Sequence, residues 1–348
     1  MSTSSASSTR ALNAILPLIA AGQPYEAHQK ARTFAARYNK SKQYDTAIDV
    51  LFQSARELLK AGQQGSGTDL AGFLLDVYDS KGETINDESR GRLTQLIALT
   101  GPSGSWRKTI IDKSIAWSAK SGPCPAGDPE IHHYVGELLY KEGAFDQAEP
   151  HLLTAGKRDS AHILAQMFVE WSSQGGGAGA FALRGTLPFL QNGNILAART
   201  FLSHFISQMA VAHPELISSL QPSPISVNSS GKGGADEIVF TTDSLLNFTQ
   251  LAVRACQRAQ GDKNKVMREA WVRLCGTYQS KGGLLAKPEV RKVLTELAEL
   301  YFAIPPPRSQ QANPFGDMIS AMFGGAAPSA SVTRRVLSPS GSSTPGLD

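Results

Sequence analysis

A short turn pattern recurs along the 348-residue chain and constrains the fold more than any other feature. In each copy, a Gly or Lys stands five residues before an Ala that opens a helical face. The copies are GQPYEA (22–27), KQYDTA (42–47), GAFDQA (143–148) and GNILAA (193–198). The Gly or polar residue ends the preceding helix, and the small Ala lets a neighbouring helix approach closely. Helical hairpins stacked in a row need both features repeatedly.

Helical periodicity fills the segments between these turns. One apolar stripe within 44–59 comprises Tyr44, Ala47, Ile48, Leu51, Ala55, Leu58 and Leu59. Similar stripes cover 10–20, 25–38, 68–79, 86–99, 106–119, 130–141, 145–155, 159–172, 180–190, 194–210, 243–259, 263–280 and 287–302. The four turns do not follow one fixed period. The sequence therefore predicts an all-α fold, an irregular α-solenoid of tetratricopeptide-like helical hairpins, with a compact helical bundle as the alternative.

One segment interrupts the helical pattern, at 222–242. It contains two short β-favouring pieces, Ile225–Val227 and Glu237–Thr241, around a Gly/Ser-rich centre. This composition predicts a β-hairpin or a long loop inserted between helices.

The two ends of the chain differ from the rest in composition. Serines dominate residues 1–9, and Pro, Ser and Gly dominate 304–348, so we expect both segments to be disordered. Within the second, NPFGDMISAMFGG (313–325) has the spacing of one or two amphipathic turns. Between the ends we expect an N-terminal half over 10–150 and a C-terminal half over 151–303.

The composition and charge indicate a protein that works inside the cell. Neither a run of roughly 18 apolar residues nor the apolar centre of a secretory signal is found in the sequence, which favours a cytosolic or nuclear location. The formal net charge of +4 arises within residues 1–60, where eight Lys/Arg stand against four Asp/Glu. This bias is too weak for nucleic acid and fits an acidic protein partner better.

The glycine-rich, histidine and cysteine positions of the sequence do not form the known signatures of catalysis or of metal or cofactor binding. The glycine-rich GSGTDL and SSGKGG lack the order of a phosphate-binding loop. His132 and His133 are adjacent, so on a helix they point in different directions and cannot share a metal. The three cysteines, Cys124, Cys256 and Cys275, form no Cys-x-x-Cys pair. We therefore expect no enzyme, no metal and no cofactor.

Three stretches have sequences more specific than the packing of a generic α-solenoid requires. They are GQPYEAHQKARTFAARY (22–38), AGQQGSGTDLAGFLLDVY (61–78) and GELLYKEGAFDQAEPHLLTAGKRDSAHILAQMFVEW (136–171). These stretches strongly resemble the Golgi to ER traffic protein four family, and FTTDSLLNFTQLAVRACQR (240–258) resembles the same family. The resemblance covers residues from about 10 to 303.

The resemblance implies a non-enzymatic cytosolic adaptor in the guided entry of tail-anchored proteins. In that family the N-terminal helices bind the targeting ATPase that carries tail-anchored substrates. The C-terminal half binds a ubiquitin-like partner of the Golgi to ER traffic protein five family, which recruits a tetratricopeptide co-chaperone. The adaptor favours the ATP-bound, closed ATPase and does not itself insert into the membrane.

Two sets of residues follow as candidate contacts. The ATPase-binding set on the N-terminal helices comprises Tyr25, Glu26, Gln29, Arg32, Arg37, Tyr38, Asp69 and Asp76. The set for the ubiquitin-like partner comprises Ile238, Val239, Phe240, Leu245, Leu246 and Phe248. Each set could instead have a purely structural role. The first would then form a solvated helix face, within which Thr68 or Asp69 would cap a helix. The second would complete the local core.

Two other functions remain open on the sequence. The first is a generic helical-repeat scaffold subunit of another large cytosolic complex, which typically ends in a winged helix, whereas here the helical pattern continues to Phe302. The second is an enzyme whose site forms only in three dimensions.

Overall fold

The protein folds into two units of packed helices. The computed structural model describes residues 3–227 and 236–306. Within them lie fourteen α-helices and one two-stranded sheet. The boundary between the units follows Ala155.

Unit 1 stacks its helices in two layers. The helices are α1 (Thr3–Ala20), α2 (Pro24–Lys40), α3 (Tyr44–Lys60), α4 (Gln64–Lys81), α5 (Asp87–Leu99), α6 (Trp106–Ser121), α7 (Pro129–Lys141) and α8 (Phe145–Ala155). Among the first seven, helices α1, α3, α5 and α7 pack in sequence as one layer, and α2, α4 and α6 form the other. This is the arrangement of stacked hairpins, so the compact-bundle alternative does not describe unit 1.

The turns of the recurring pattern share one backbone conformation. Gly22, Lys42, Gly143 and Gly193 all have φ between 60° and 75°, in the left-handed region. At each of them two backbone hydrogen bonds close the preceding helix, as from Gly22 N to Ile19 O (3.0 Å) and from the next residue's N to Leu18 O (2.8 Å). The alanines five residues later are fully buried, which confirms both parts of the predicted pattern.

The structure adds two turns of the same kind, and with them a local regularity that the sequence pattern missed. Gly62 and Gly82 also adopt positive φ, so positions 22, 42, 62 and 82 place one turn every twenty residues through the first four helices. The copy at Gly62 was missed because Gly67 stands where the other copies have Ala. A Cβ at Gly67 would lie 2.5 Å from Leu59 Cγ, so even an alanine would collide there.

Helix α1 begins earlier than predicted. The expectation that residues 1–9 are disordered is wrong from Thr3 onward, because α1 runs from Thr3 to Ala20. Ser8, Ala11 and Ile15 are buried on its inner face. This buried face is not evident from the sequence, because a serine, Ser8, occupies one of its core positions. The expected tail is described only over 304–306, and the segment 313–325 lies outside the described residues.

Unit 2 contains the remaining helices and the sheet. Its elements are α9 (Arg158–Ser172), α10 (Ala178–Gln191), α11 (Ile195–Ala212), β1 (Ile225–Val227), β2 (Asp236–Ile238), α12 (Ser244–Arg258), α13 (Lys265–Gln279) and α14 (Pro288–Phe302). Helix α10 packs against α11, α12 and α14, while α9 packs against α11. A buried aromatic contact between Phe168 and Phe201, with ring centroids 5.7 Å apart, joins α9 to α11.

The predicted β-hairpin is present, with a shorter second strand. Strands β1 and β2 pair antiparallel, with Ile225 opposite Ile238. Glu237 is exposed and Ile238 is buried, but Thr241, which the alternation of a continuous strand would place on the same face as Glu237, is also buried. The reason is that β2 ends at Ile238, and Thr241 pairs instead with Ile217, before the hairpin.

Helix α11 meets the length and composition of a membrane span, although the sequence analysis noted no such run. In the described part of the chain it is the one helix that does so. Core helices pass the same test, and α11 buries Phe201, Phe205 and Met209 against its neighbours.

The backbone conformation at Lys42 leads to a stability prediction. A residue with a side chain in the left-handed region destabilises the fold by about 1–2 kcal/mol. Replacing it with Gly removes this cost, but part of the gain is lost because Gly makes the unfolded chain more flexible. Lys42→Gly should therefore raise the free energy of unfolding by about 0.5–1 kcal/mol in urea titrations. Gly22→Lys should lower it by about 1 kcal/mol.

Lys30→Gly is the matched control because Lys30 lies exposed within α2. There a Gly should destabilise by up to about 1 kcal/mol. The account of the turns is wrong if Lys42→Gly destabilises the protein as Lys30→Gly does.

Candidate partner-binding surfaces

Helix α2 separates an exposed stripe from a buried one. Tyr25, Gln29 and Arg32 are spaced four and three residues apart, share one face and are exposed. Tyr25 is 73% exposed, which is unusual for so large an aromatic side chain. The buried stripe comprises Ala27, Ala31, Ala35 and Tyr38. The small alanines bring α2 close to its neighbours, and the outer stripe remains available to a partner.

Two of the predicted contact residues, Arg32 and Asp69, meet at the junction of α2 and α4. Asp69 Oδ2 accepts a hydrogen bond from Arg32 Nη1 and lies 2.8 Å from His28 Nε2. The Arg32 guanidinium also lies 5.6 Å from the ring centroid of Phe73. We call His28, Arg32, Asp69 and Phe73 the α2–α4 cluster. The sequence analysis missed His28 and Phe73, although each stands four residues from a predicted member.

The charge state of Asp69 follows from this cluster. Partial burial acts to raise the pKa of Asp69, but the hydrogen bonds and charges of Arg32 and His28 outweigh it and lower that pKa. Asp69 is thus a carboxylate at neutral pH. The alternative that Thr68 or Asp69 caps a helix is wrong, because α4 begins at Gln64 and both residues lie inside it.

The other predicted residues on this surface divide into exposed and buried ones. Glu26, Arg37 and Asp76 are exposed. The Arg37 guanidinium lies 5.2 Å from the ring centroids of both Phe34 and Tyr38. Tyr38 itself is only 7% exposed, and its hydroxyl donates to Ser7 O at 3.3 Å. Tyr38 is therefore a core residue that supports Arg37, which corrects its assignment as a direct contact.

A second large aromatic residue lies exposed on the even-numbered layer. Trp106, the first residue of α6, is 45% exposed. Its ring lies across the start of α4, where a Cβ at Gly65 would be 3.5 Å from it. The sequence analysis missed Trp106, whose only signal was a large aromatic at a helix start, after Gly104.

In unit 2, two amide side chains of α12 hold the chain that follows β2. Gln250 Oε1 accepts from Val239 N (3.0 Å), and Gln250 Nε2 donates to Val239 O (2.7 Å). Asn247 makes the same pair of bonds to Thr241, at 2.9 Å and 2.7 Å. The two amides thus satisfy backbone groups as a neighbouring strand would. This contact, which we call the amide clamp, fixes the hairpin to α12.

The apolar residues predicted to meet the ubiquitin-like partner are partly core. Ile238, Leu246 and Phe248 are at most 8% exposed, so for these the structural alternative is correct. They occupy inward positions of β2 and α12. The half-buried members of the set are Val239, Phe240 and Leu245. Ile225 on β1 is 43% exposed and was not predicted.

The histidine that the sequence analysis considered as a ligand is instead paired with another histidine. His132 Nδ1 lies 3.0 Å from His151 Nδ1, and His132 Nε2 lies 3.0 Å from Ala126 O. Because the carbonyl needs a donor, His132 carries its proton on Nε2 and accepts from His151 at Nδ1. Burial and the charge of His132 lower the pKa of His151 to about 4, so this pair is neutral at pH 7.

No group of three or more His, Cys, Asp or Glu side chains is placed to hold a metal ion in the described part of the chain. Burial raises the pKa of both Cys256 and Cys275, which disfavours the reactive thiolate. The two surfaces above offer charge, aromatic rings and exposed apolar groups, which suits them to binding proteins.

Comparison with known proteins establishes the family. The family model described as Golgi to ER traffic protein 4 matches residues 41–323. The Golgi to ER traffic protein 4 of Aspergillus fumigatus is 34% identical over 329 residues, which cover 88% of this chain and 87% of the relative. The chain belongs to the Golgi to ER traffic protein 4 family.

More distant relatives agree with this family. The Golgi to ER traffic protein 4 of Schizosaccharomyces pombe is 28% identical, covering 87% of this chain and 91% of the relative. The human homologue is 25% identical, and the match covers 87% of this chain and 83% of the homologue. The family assigns the chain a role in Golgi to ER traffic.

A solved structure supports the fold class. The crystal structure of C. therm. Get4 matches with a TM-score of 0.76 and 34% identity, covering 95% of this chain and 99% of that one. The predicted all-α class, an irregular α-solenoid of helical hairpins with one inserted β-hairpin, is confirmed.

The amide clamp leads to a prediction that local exchange can test. Gln250→Met keeps an apolar side chain of similar length but leaves Val239 N and O without the partners they have in the fold. The Val239 amide should then exchange with deuterium at least tenfold faster, since the lost bonds are worth about 1–3 kcal/mol. Thr241, still held by Asn247, is the internal control. Equal acceleration at both amides would indicate general unfolding of the hairpin region and contradict a local clamp.

Proposed function

We propose that the protein is a non-enzymatic cytosolic adaptor that bridges two partners in the delivery of tail-anchored membrane proteins. Unit 1 binds the targeting ATPase, and unit 2 binds a ubiquitin-like partner that brings a tetratricopeptide co-chaperone. The exposed face of α2 and α4, in a chain of this family, is the observation that carries the proposal. Transfer of the tail-anchored substrate to the ATPase for delivery to the endoplasmic reticulum is the outcome of bringing these partners together.

The ATPase-binding surface has the composition of a steered protein contact. The basic excess of the chain lies in residues 1–60, the range that contains α1 to α3. Arg37 provides an exposed positive charge, while Tyr25 and Trp106 provide exposed aromatic area. Charge complementarity sets the encounter rate and specificity, and aromatic residues dominate interface energies. An acidic surface on the ATPase is the complement this face fits.

The α2–α4 cluster supports a regulatory contact. Asp69 is ionised, 43% exposed at its side chain, and fixed in position by Arg32 and His28. A carboxylate fixed in this way can meet a basic group of the ATPase without losing further side-chain freedom. Asp69 thereby tunes ATP hydrolysis, while Tyr25, Gln29 and Arg37 supply most of the affinity.

The second surface combines the hairpin with the start of α12. Ile225, Val239 and Phe240 leave apolar area accessible on β1 and on the segment after β2 that the amide clamp holds in place. Because that segment is already ordered, binding there costs little conformational entropy. The buried Ile238, Leu246 and Phe248 form the support beneath this surface.

The ATPase contact predicts a charge-dependent loss of affinity. Arg37→Glu should weaken binding to the ATP-bound targeting ATPase at least tenfold in 50 mM salt, measured by biolayer interferometry, and less in 500 mM salt, where charges are screened. Lys141→Glu is the control, since Lys141 is an exposed residue of α7 in the odd-numbered layer. The thermal midpoint of Arg37→Glu should change little. Equal affinity of the two variants contradicts the proposed surface.

The regulatory role of Asp69 is tested by ATP turnover of the ATPase in the same complexes. Asp69→Asn removes the charge but keeps the shape, and should alter the effect of the adaptor on turnover while most of the affinity remains. If turnover is regulated as by the wild type, Asp69 serves only to fix α2 against α4.

The proposed hairpin surface predicts a variant that loses the ubiquitin-like partner but still binds the ATPase. Ile225→Asp should abolish co-purification of the ubiquitin-like partner or weaken it at least tenfold, because it places a charge in a desolvated contact, and should leave ATPase binding unchanged. Val266→Asp is the control, since Val266 is 74% exposed on α13 and outside the hairpin. Retention of the partner at wild-type affinity by Ile225→Asp would exclude the hairpin as its site. Recovery of neither partner from a pull-down would favour the generic scaffold.

A further inference from the structure

Helix α13 of unit 2 has one packed side and one largely exposed side. Among its fifteen residues, all of which the structure describes, Trp271 alone is buried, whereas α12 buries eight residues over the same length. Trp271 stacks on Phe302 of α14, with ring centroids 4.9 Å apart, and so fixes the inner side of α13. The outer side includes Val272, which is 58% exposed. The packing of unit 2 therefore leaves this side of α13 accessible to a further contact.

An open groove of about 550 Å³ lies along the exposed side, where α13 meets the end of α14. We call it the α13 groove, and its lining residues are Lys265, Arg268, Glu269, Val272, Arg273 and Ile304. Val272 and Ile304 are its apolar residues, and the methylene stems of the long basic side chains add apolar surface beneath their charged ends. Because three basic residues stand against one acid, the groove combines apolar surface with a net positive charge.

The chain leaves α14 directly beside the α13 groove. Ala303, the residue after α14, has a φ of 50° in the left-handed region, and its carbonyl O lies 3.5 Å from Arg268 Nη2 of α13. Ile304 N donates to Ala298 O at 3.1 Å. These contacts turn the chain towards α13 and place Ile304 in the groove. The described residues end two positions later, at residue 306, so the rest of the chain starts from the groove.

The segment 313–325, NPFGDMISAMFGG, has a residue pattern that suits this groove. Its large apolar residues follow the first of them at three, four, seven and eight positions, which is the spacing of one helical face; they are Phe315, Met318, Ile319, Met322 and Phe323. Asp317 is its only charged residue and is opposite in sign to the groove. The match to the family model continues to residue 323, so it includes this apolar pattern but not the rest of the tail.

The connecting chain is long enough for the segment to lie along α13. Six residues, 307–312, separate the described part from the segment, and when extended they span about 20 Å. The fifteen residues of α13 form a helix about 22 Å long. A short flexible linker gives the segment an effective concentration on the order of a millimolar at the groove. Even a modest intrinsic affinity is therefore enough for the segment to occupy it.

We propose that residues 313–325 dock on the α13 groove of the same chain. Their apolar residues contact Val272 and Ile304, and Asp317 lies near the basic side chains of the groove. The contact covers the exposed side of α13 and ties the tail to unit 2. This inference goes beyond the proposed adaptor function, because neither the ATPase nor the ubiquitin-like partner takes part in the contact or in its test.

Site-specific cross-linking in the full chain tests the contact. A photoreactive benzoylphenylalanine in place of Phe323 should link, on irradiation, to peptides of α13 in the same chain, as identified by mass spectrometry. Val272→Asp should lower the yield of this link at least fivefold, because it places a charge in the apolar part of the groove. Val211→Asp is the control, since Val211 is 82% exposed on α11 and does not line the groove. The photoreactive residue in place of Val336, further along the tail, should link to α13 only at background level.

A peptide added in trans provides a second measurement. A fluorescein-labelled peptide of residues 313–325 should bind at least tenfold more tightly to the full-length variant Met318→Asp with Met322→Asp than to the wild type. The reason is that the segment of the variant no longer occupies the groove, whereas that of the wild type does.

Three results would overturn the proposal. The first is equal affinity of the peptide for the two chains. The second is a link from position 323 that lies outside α13, or one that joins two copies and increases with protein concentration. The third is a yield that Val272→Asp leaves unchanged while the circular dichroism of the variant matches that of the wild type.

Discussion

The stacking of helices in this protein depends on one backbone conformation, a single left-handed residue at the end of a helix. At residues 22, 42, 62 and 82 this residue lets two hydrogen bonds close one helix before the next reverses direction. A small residue five positions later at the first three of these turns then allows the new helix to approach closely. These turns place α2 and α4 side by side in one layer, which brings Arg32 to Asp69. The surface that we propose for the ATPase is thus a direct result of the turns.

Much of the fold was predictable because these turns are local. Gly at a left-handed position and Ala at a close approach follow from sterics that the sequence alone displays. The same reasoning missed Gly67, where a side chain is excluded by Leu59, since the position of a neighbouring helix is not a local property. It also missed the start of α1, because Ser8 is buried although its residue type usually favours solvent.

The candidate surfaces were predictable only in part, for a similar reason. Helical spacing from Ala27, Ala31 and Ala35 places Tyr38 on the buried face, so that error was avoidable. The pairing of Arg32 with Asp69, 37 residues apart, arises from tertiary packing. The amide clamp is also tertiary, because nothing in the residues around Gln250 indicates that its amide replaces a strand. Apolar residues in and after the hairpin gave no sign in the sequence of which would be buried.

The two candidate surfaces differ in their physical character, which is why we propose a different partner for each. The unit 1 face is charged and aromatic, which favours fast, salt-sensitive association. The hairpin surface is apolar and already ordered by the clamp, which favours a lasting contact. In the proposed function, the unit 1 face would hold the partner that exchanges and the hairpin surface the partner that stays bound.

The central claim is that two partners bind to different surfaces at the same time. Mass photometry of the full chain mixed with the ATP-bound targeting ATPase and the ubiquitin-like partner tests this claim directly. The account predicts a species whose mass includes all three proteins, with neither partner displacing the other as its concentration rises. Only binary complexes, each lost as the other partner is added, would contradict it.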